Sequence, residues 1–212
     1  MDISFDYLQA LLTEVNALRE NFPYRELNEN DYDAVIYIAN KNDTRIGVQQ
    51  GLRQVLACQK HHFRETERIR ANSKNYCKLY KKQGKTVRVE SFVKGRLDVV
   101  FLAHYTEDKR FLFPFSEAGG FYPTYTYVTH FSGDLVDEEY YADGHQIVYE
   151  RYHYHDDQTA GYDFINYVPA GTAPVLSRAS GVFILKPELQ YHADEYVTWR
   201  DGETRNSVLS DL

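Results

Sequence analysis

The stretch YERYHYHDD, residues 149–157, gathers side chains that do chemistry near neutral pH. An imidazole titrates between about pH 5 and 8 and also binds transition metals. Here two histidines, His153 and His155, stand one residue apart behind Arg151. On a strand, alternate residues share a face, which sets their Cα atoms roughly 6.6 Å apart. That spacing suits two ligands of one ion and makes His153 and His155 a candidate metal pair. Arg151 on the same face would repel a dication, and a third and fourth ligand are missing, so the expected cofactor is none. A metal-independent use would pair His153 with Glu138 as a catalytic acid and base.

These roles depend on how the strands align. From Asn75 onward apolar residues alternate with polar ones, punctuated by Gln83-Gly84, Lys94-Gly95, Ser132-Gly133 and Asp143-Gly144. Short strands with tight Gly turns predict an antiparallel meander of about nine strands. Two-residue loops at Ser132-Gly133 and Asp143-Gly144 put Tyr125, Tyr127, Glu138, Tyr140, Tyr149, Arg151, His153 and His155 on one side. Thr126, His130, Asp137, Glu139, Glu150 and Tyr152 fall on the other. Asp137 opposite Glu150 is a repulsion that only water tolerates, so the acidic side is expected to face solvent. The first side then faces inward. Tyr125, Tyr127, Tyr149 and Arg151 become a candidate ligand surface there, with Glu138 in reach of Arg151 and Asp134 able to accept from His153.

Ahead of the meander, Leu8, Leu11, Leu12, Val15 and Leu18 recur at helical spacing behind Asp2 or Ser4 as a cap, predicting a helix over 4–20 that Pro23 ends. DAVIYIAN, residues 33–40, reads as a strand. Thr44 can cap a second helix over 45–71, whose apolar stripe is Val48, Leu52, Val55, Leu56, Phe63 and Ile69. His61 and His62 sit in it on diverging directions, so the pair cannot chelate one ion. The expected fold class is α+β: two N-terminal amphipathic helices packed on a largely antiparallel β-meander, either a strongly curved sheet or a partly closed barrel. Residues 1–74 form a mainly helical part and 75–212 the meander, within one compact domain.

EEYYADGHQIVYERYHY, residues 138–154, resembles one unit of the Tyr-rich YYxDG hairpin repeats of several bacterial β-meander proteins. That resemblance implies topology and no activity. The His-x-His pair followed by PAG at 169–171 resembles fragments of the cupin pattern, but no Glu follows the pair, and Pro174 stands where the later cupin histidine belongs.

The net charge of −7 hides three blocks. Residues 1–51 carry −5, residues 52–88 carry +9 and residues 89–212 carry −11. The basic block either engages a protein or anionic macromolecule, with Arg53, Lys60 and Arg64 as candidate partner-binding residues, or is neutralised by its own acidic sheet. Zinc-finger spacing, an aromatic RNA-binding signature and a phosphate-cradling glycine loop are all missing. The first twenty residues hold Asp2, Asp6, Glu14 and Glu20 and no basic leader, and no apolar run spans a bilayer. With two cysteines and no disulfide framework, the expected setting is cytoplasmic and without membrane contact. The expected function is a non-enzymatic binding or inhibitor module using residues 52–88 and a Tyr-rich sheet face, which could also take a small ligand. The alternative is an enzyme with an acid/base or metal site around His153, Glu138 and Arg151.

Overall fold

The structure, a computed structural model, describes residues 3–39, 48–60, 65–70, 72–122, 124–143, 145–169, 175–186, 188–200 and 203–207. Its first element is helix α1, Phe5–Asn21, capped by the Ser4 hydroxyl, which accepts from the Tyr7 amide at 3.2 Å. Strand β1, Ala34–Ala39, follows, then helix α2, Leu52–Lys60, and the two-residue strand β2, Glu65–Thr66. The meander begins with β3, Tyr76–Lys82, β4, Lys85–Val93, β5, Arg96–Tyr105, and β6, Lys109–Phe115. It continues with β7, Thr126–Ser132, β8, Leu135–Ala142, β9, Ile147–Tyr154, and β10, Thr159–Val168. Strands β11, Val175–Ile184, β12, Gln190–Arg200, and β13, Glu203–Ser207, complete it.

All thirteen strands form one antiparallel sheet in which each strand from β3 to β13 lies beside its sequence neighbours, while β1 sits between β3 and β2. Strands β13 and β2 end the order and do not pair with each other, so the sheet is open and not a barrel. Local chemistry sets its rhythm. Gln83-Gly84 and Lys94-Gly95 both take positive φ, 50 with 78 and 53 with 79 degrees, the left-handed pair whose twist matches a two-residue hairpin.

Helix α1 buries Leu8, Leu11, Leu12 and Val15 against one face of the sheet, where Val100, Phe111, Phe113, Val128, Tyr149 and Ile165 belong to the same core. The helix runs across the strands. Phe5 meets Tyr167 of β10 at 5.4 Å, and Phe22 stacks on Phe113 of β6 at 4.5 Å. Residues 22–33 continue as a strap over the same face. Tyr24 lies 5.2 Å from Phe115, Arg88 donates to Glu26 at 3.3 Å, and Tyr32 stands edge-on to Tyr80 at 5.0 Å. On the opposite face Leu52 and Leu56 of α2 pack with Tyr152, Ala160, Tyr162 and Phe183. Val48 is buried beside Leu79, Val89, Leu112 and Tyr127.

The second helix is much shorter than the apolar stripe predicts. Among the described residues of 45–71 the helix is Leu52–Lys60, Val55 is 41% exposed, and Glu65–Thr66 pairs with β1 as a strand. Val48 is buried ahead of the helix instead of within it. The predicted cap Thr44 and residues His61, His62, Phe63 and Arg64 lie outside the described residues. No helix among the described residues is long and apolar enough to cross a membrane. Leu12→Ala is expected to lower the unfolding free energy by about 2–5 kcal/mol, read from the urea midpoint. Val55→Ala should move it by no more than about 0.5 kcal/mol, since its side chain is largely in water.

Candidate functional site

The register corrects the alignment expected from the turns. Asp143 to Gln146 forms a four-residue loop, with the Asp143 carboxylate accepting from the His145 and Gln146 amides, so Ala142 pairs with Ile147, Tyr140 with Tyr149 and Glu138 with Arg151. This two-residue shift preserves which side each residue occupies. Between β7 and β8 the turn is Gly133-Asp134, and a bulge leaves Asp137 without an opposite partner. The bulge inverts β7 relative to expectation. Tyr127 pairs with Tyr141, so Tyr125 and Tyr127 lie on the face opposite Glu138, Tyr149 and Arg151.

On the α1 face the structure brings together Glu138, Arg151, Tyr149 and, from the helix, Tyr7. The Tyr7 hydroxyl donates to Glu138 Oε2 at 2.8 Å, and Arg151 Nη2 lies 3.5 Å from Glu138 Oε1. Burial, reinforced by that carboxylate, pushes the Tyr7 phenol up to about 12. The Tyr149 phenol is raised by burial and then by Glu138. Both Glu138 oxygens are therefore engaged within the protein. His153 does not reach Asp134, which is exposed; its Nε2 lies 2.9 Å from Asp163 Oδ2 on β10. A Cβ added at Gly161 would meet His155 Nε2 at 3.2 Å, so the His155 ring overlies that strand. Among the described residues no three His, Cys, Asp or Glu side chains converge on a point where a metal could bind.

The acidic side does not face solvent as expected. Glu139 and Glu150, directly paired, are buried under residues 48–53. They belong to a row running straight across the strands: Tyr105, Arg110, Thr129, Glu139, Glu150. Arg110 donates to the Val48 carbonyl and to Thr129 Oγ1, and Thr129 Oγ1 donates to Glu139 Oε1 at 3.0 Å. Glu139 also accepts from the Gln50 and Gly51 amides at 2.8 and 3.1 Å, satisfying orphan donors where α2 starts. Arg53 Nη1 donates to Glu150 Oε1 at 2.9 Å, and the Tyr152 hydroxyl donates to its Oε2 at 2.7 Å. Gly51 is glycine because a Cβ there would enter the Tyr152 ring. Arg53 therefore serves the chain's own acids, with burial opposing its charge and Glu150 more than offsetting that.

The rest of the basic block divides the same way. Lys78 and Arg88 pair with Glu90 and Lys81 pairs with Glu65, while Lys82 donates to the Asn30 carbonyl. At one end of the sheet this compensation stops. Arg68, Arg70 and Lys74 in the loop after β2, with Lys94 and Arg96 at the β4–β5 turn, are all exposed and enter no ion pair among the described residues. The two segments are bonded to each other, the Gly95 amide to the Lys74 carbonyl at 2.6 Å and the Lys94 amide to Asn75 Oδ1 at 2.8 Å. Within the loop, Thr66 Oγ1 donates to the Arg68 carbonyl at 2.8 Å, and the Ser73 amide donates to the Arg70 carbonyl at 2.9 Å. The result is a pinned rim of five cations in which Glu67 is the loop's acid. Lys60 is also exposed, in the last turn of α2, where a cation complements the helix dipole.

The sequence pointed to the basic block but not to this rim, because Lys94 and Arg96 lie beyond it. The Gln83-Gly84 turn brings the end of β4 back beside the start of β3. A bulge between Tyr80 and Lys81 shifts the register by one, so that Tyr76 pairs with Phe92 and residues 94–96 lie beside residue 74. Tyr7, Asp163 and Arg110 carried no motif at all. Comparison with known proteins returns no match to any family model, curated protein or solved structure.

Burial, then the Glu150 charge, raises the Glu139 carboxyl from 4.5 to about 7, against its amide donors and Arg110. Between those values the unfolded chain has ionised this group while the folded chain still holds its proton. Stability should therefore fall as pH rises through that window, by about 3 kcal/mol, and level off above it. Glu139→Gln should remove this slope. The difference between the two proteins' unfolding free energies from pH 4.5 to 8 isolates this carboxyl from His130. Burial opposes protonation of that imidazole, but Asp137 and Asp108 at 2.6 and 2.9 Å raise its pKa.

Proposed function

We propose that this chain is a non-enzymatic binding module that captures an anionic macromolecule through its cationic rim. The observation that carries this reading is a contrast among the cations of the basic block and the β4–β5 turn beside it. Where Arg53, Lys78, Lys81 and Arg88 meet the sheet, each has an acidic partner of its own chain. Where Arg68, Arg70, Lys74, Lys94 and Arg96 project at the sheet end, none does. Five like charges held together by backbone hydrogen bonds create a local potential opposite to that of the chain as a whole. A polyanion bound there releases its counterions, which an isolated surface ion pair does not. The Glu138–Arg151 pair supports an enzyme less well, because Tyr7 and Arg151 already occupy both carboxylate oxygens.

A chain of net charge −7 should flow through an immobilised polyanion unless a local patch holds it. On heparin at low salt and neutral pH, retention is expected, with elution as salt rises. The triple variant Arg68→Glu, Arg70→Glu, Lys74→Glu should pass unretained with an unchanged unfolding midpoint. Equal retention of the folded variant would overturn the reading.

A further inference from the structure

We propose that the rim's partner is single-stranded nucleic acid, whose bases stack on Tyr37, Tyr76 and Phe92 while its phosphates meet the cations; this rests on the polyanion reading. The three rings stand on adjacent strands β1, β3 and β4 and share the face that α1 and its strap cover elsewhere. Tyr76 and Phe92 are stacked, with centroids 4.4 Å apart and planes 10° from parallel, and Tyr37 adjoins Tyr76 at 6.3 Å. The strap ends at Tyr32 on Tyr80, four residues from Tyr76 along β3, so this patch has no cover among the described residues. All three rings remain partly exposed.

Their neighbours fix the ligand class. Tyr76 follows directly on the 67–75 loop, and Phe92 precedes Lys94 and Arg96. Lys78, opposite Tyr37, sits 4.5 Å from the Tyr80 ring centroid and pairs with Glu90, so it closes the patch on this side and adds no free charge to the rim. The acid beside it, Glu90, is held by Arg88 at 2.8 Å. Flat apolar faces bordered by cations match a chain of π-faced bases joined by phosphates. Stacking of this kind is tolerant of sequence, because every base presents a π-face. A duplex hides those faces in its own stack and can reach only the cations. An acidic peptide matches the charges but has no need of the rings.

The test is fluorescence anisotropy of the full chain with a short labelled single strand of mixed sequence, the same sequence as duplex, and polyglutamate. The expected result is single-strand binding roughly tenfold or more tighter than duplex binding, as one good stack allows. For five phosphate contacts the affinity should also fall about a hundredfold between about 50 and 200 mM salt. Tyr76→Leu and Phe92→Leu should each weaken the single strand roughly tenfold and leave the salt slope unchanged. Tyr37→Leu, on β1 beside the two-residue edge strand β2, serves if either of those lowers the unfolding midpoint. Equal affinity for duplex and single strand, or leucine variants that bind normally, would overturn the inference. Polyglutamate binding without oligonucleotide binding would overturn it too while leaving the polyanion reading intact, and binding of neither would remove both.

Discussion

A sheet this broad cannot be covered by the two helices among the described residues. Thirteen strands at about 4.8 Å would span roughly 58 Å, whereas the seventeen residues of α1 reach about 25 Å and the nine of α2 about 14 Å. Apolar side chains from both faces must nevertheless leave water, and the middle strands are where cover exists on both sides. The consequences run outward from there. The centre reads as continuous core, the strap at residues 22–33 extends cover to Tyr80, and the β1–β4 end keeps its last aromatic row in partial contact with solvent.

The distribution of charge follows the same division. Under α2, Glu139 and Glu150 lie face to face with little access to water, an arrangement that stands only because donors converge on them from Thr129, Gln50, Gly51, Arg53 and Tyr152. Taking an ionised carboxylate from water costs several kcal/mol, which is why Glu139 keeps its proton up to about pH 7, and breaking the Arg53–Glu150 pair leaves an uncompensated charge. The network locates α2 on the sheet more sharply than Leu52 and Leu56 could alone. At the open end the cations are exposed, and their two segments are joined by the Gly95 amide to the Lys74 carbonyl and the Lys94 amide to Asn75 Oδ1.

Much of the scaffold was legible from sequence. The Leu8–Val15 stripe, the apolar run at 33–40 and the Gly turns gave α1, β1 and the meander because each is a local pattern with a local cause. The 45–71 helix was overextended for lack of any local stop signal, since tertiary pairing with β1 made Glu65–Thr66 a strand. The turns predicted the sides of β9 and of β8 from Glu138 onward correctly, and those of Val136 and of β7 wrongly. A loop lengthened by two residues leaves the parity unchanged, whereas one bulge at Asp137 reverses it. The burial of Glu139 and Glu150 was illegible for a related reason. Like charges opposite each other argue for water until Arg53, 97 residues before Glu150, arrives to pair with it.

Hydrogen–deuterium exchange of the full chain, with and without a saturating single-stranded oligonucleotide, tests the central claim most directly. The account predicts new amide protection confined to residues 67–76, 92–96 and the neighbourhood of Tyr37, where the cations and rings lie together. Protection centred instead on α2, or on the Glu138–Arg151 side under α1, would contradict it, as would an exchange pattern that the oligonucleotide leaves unchanged.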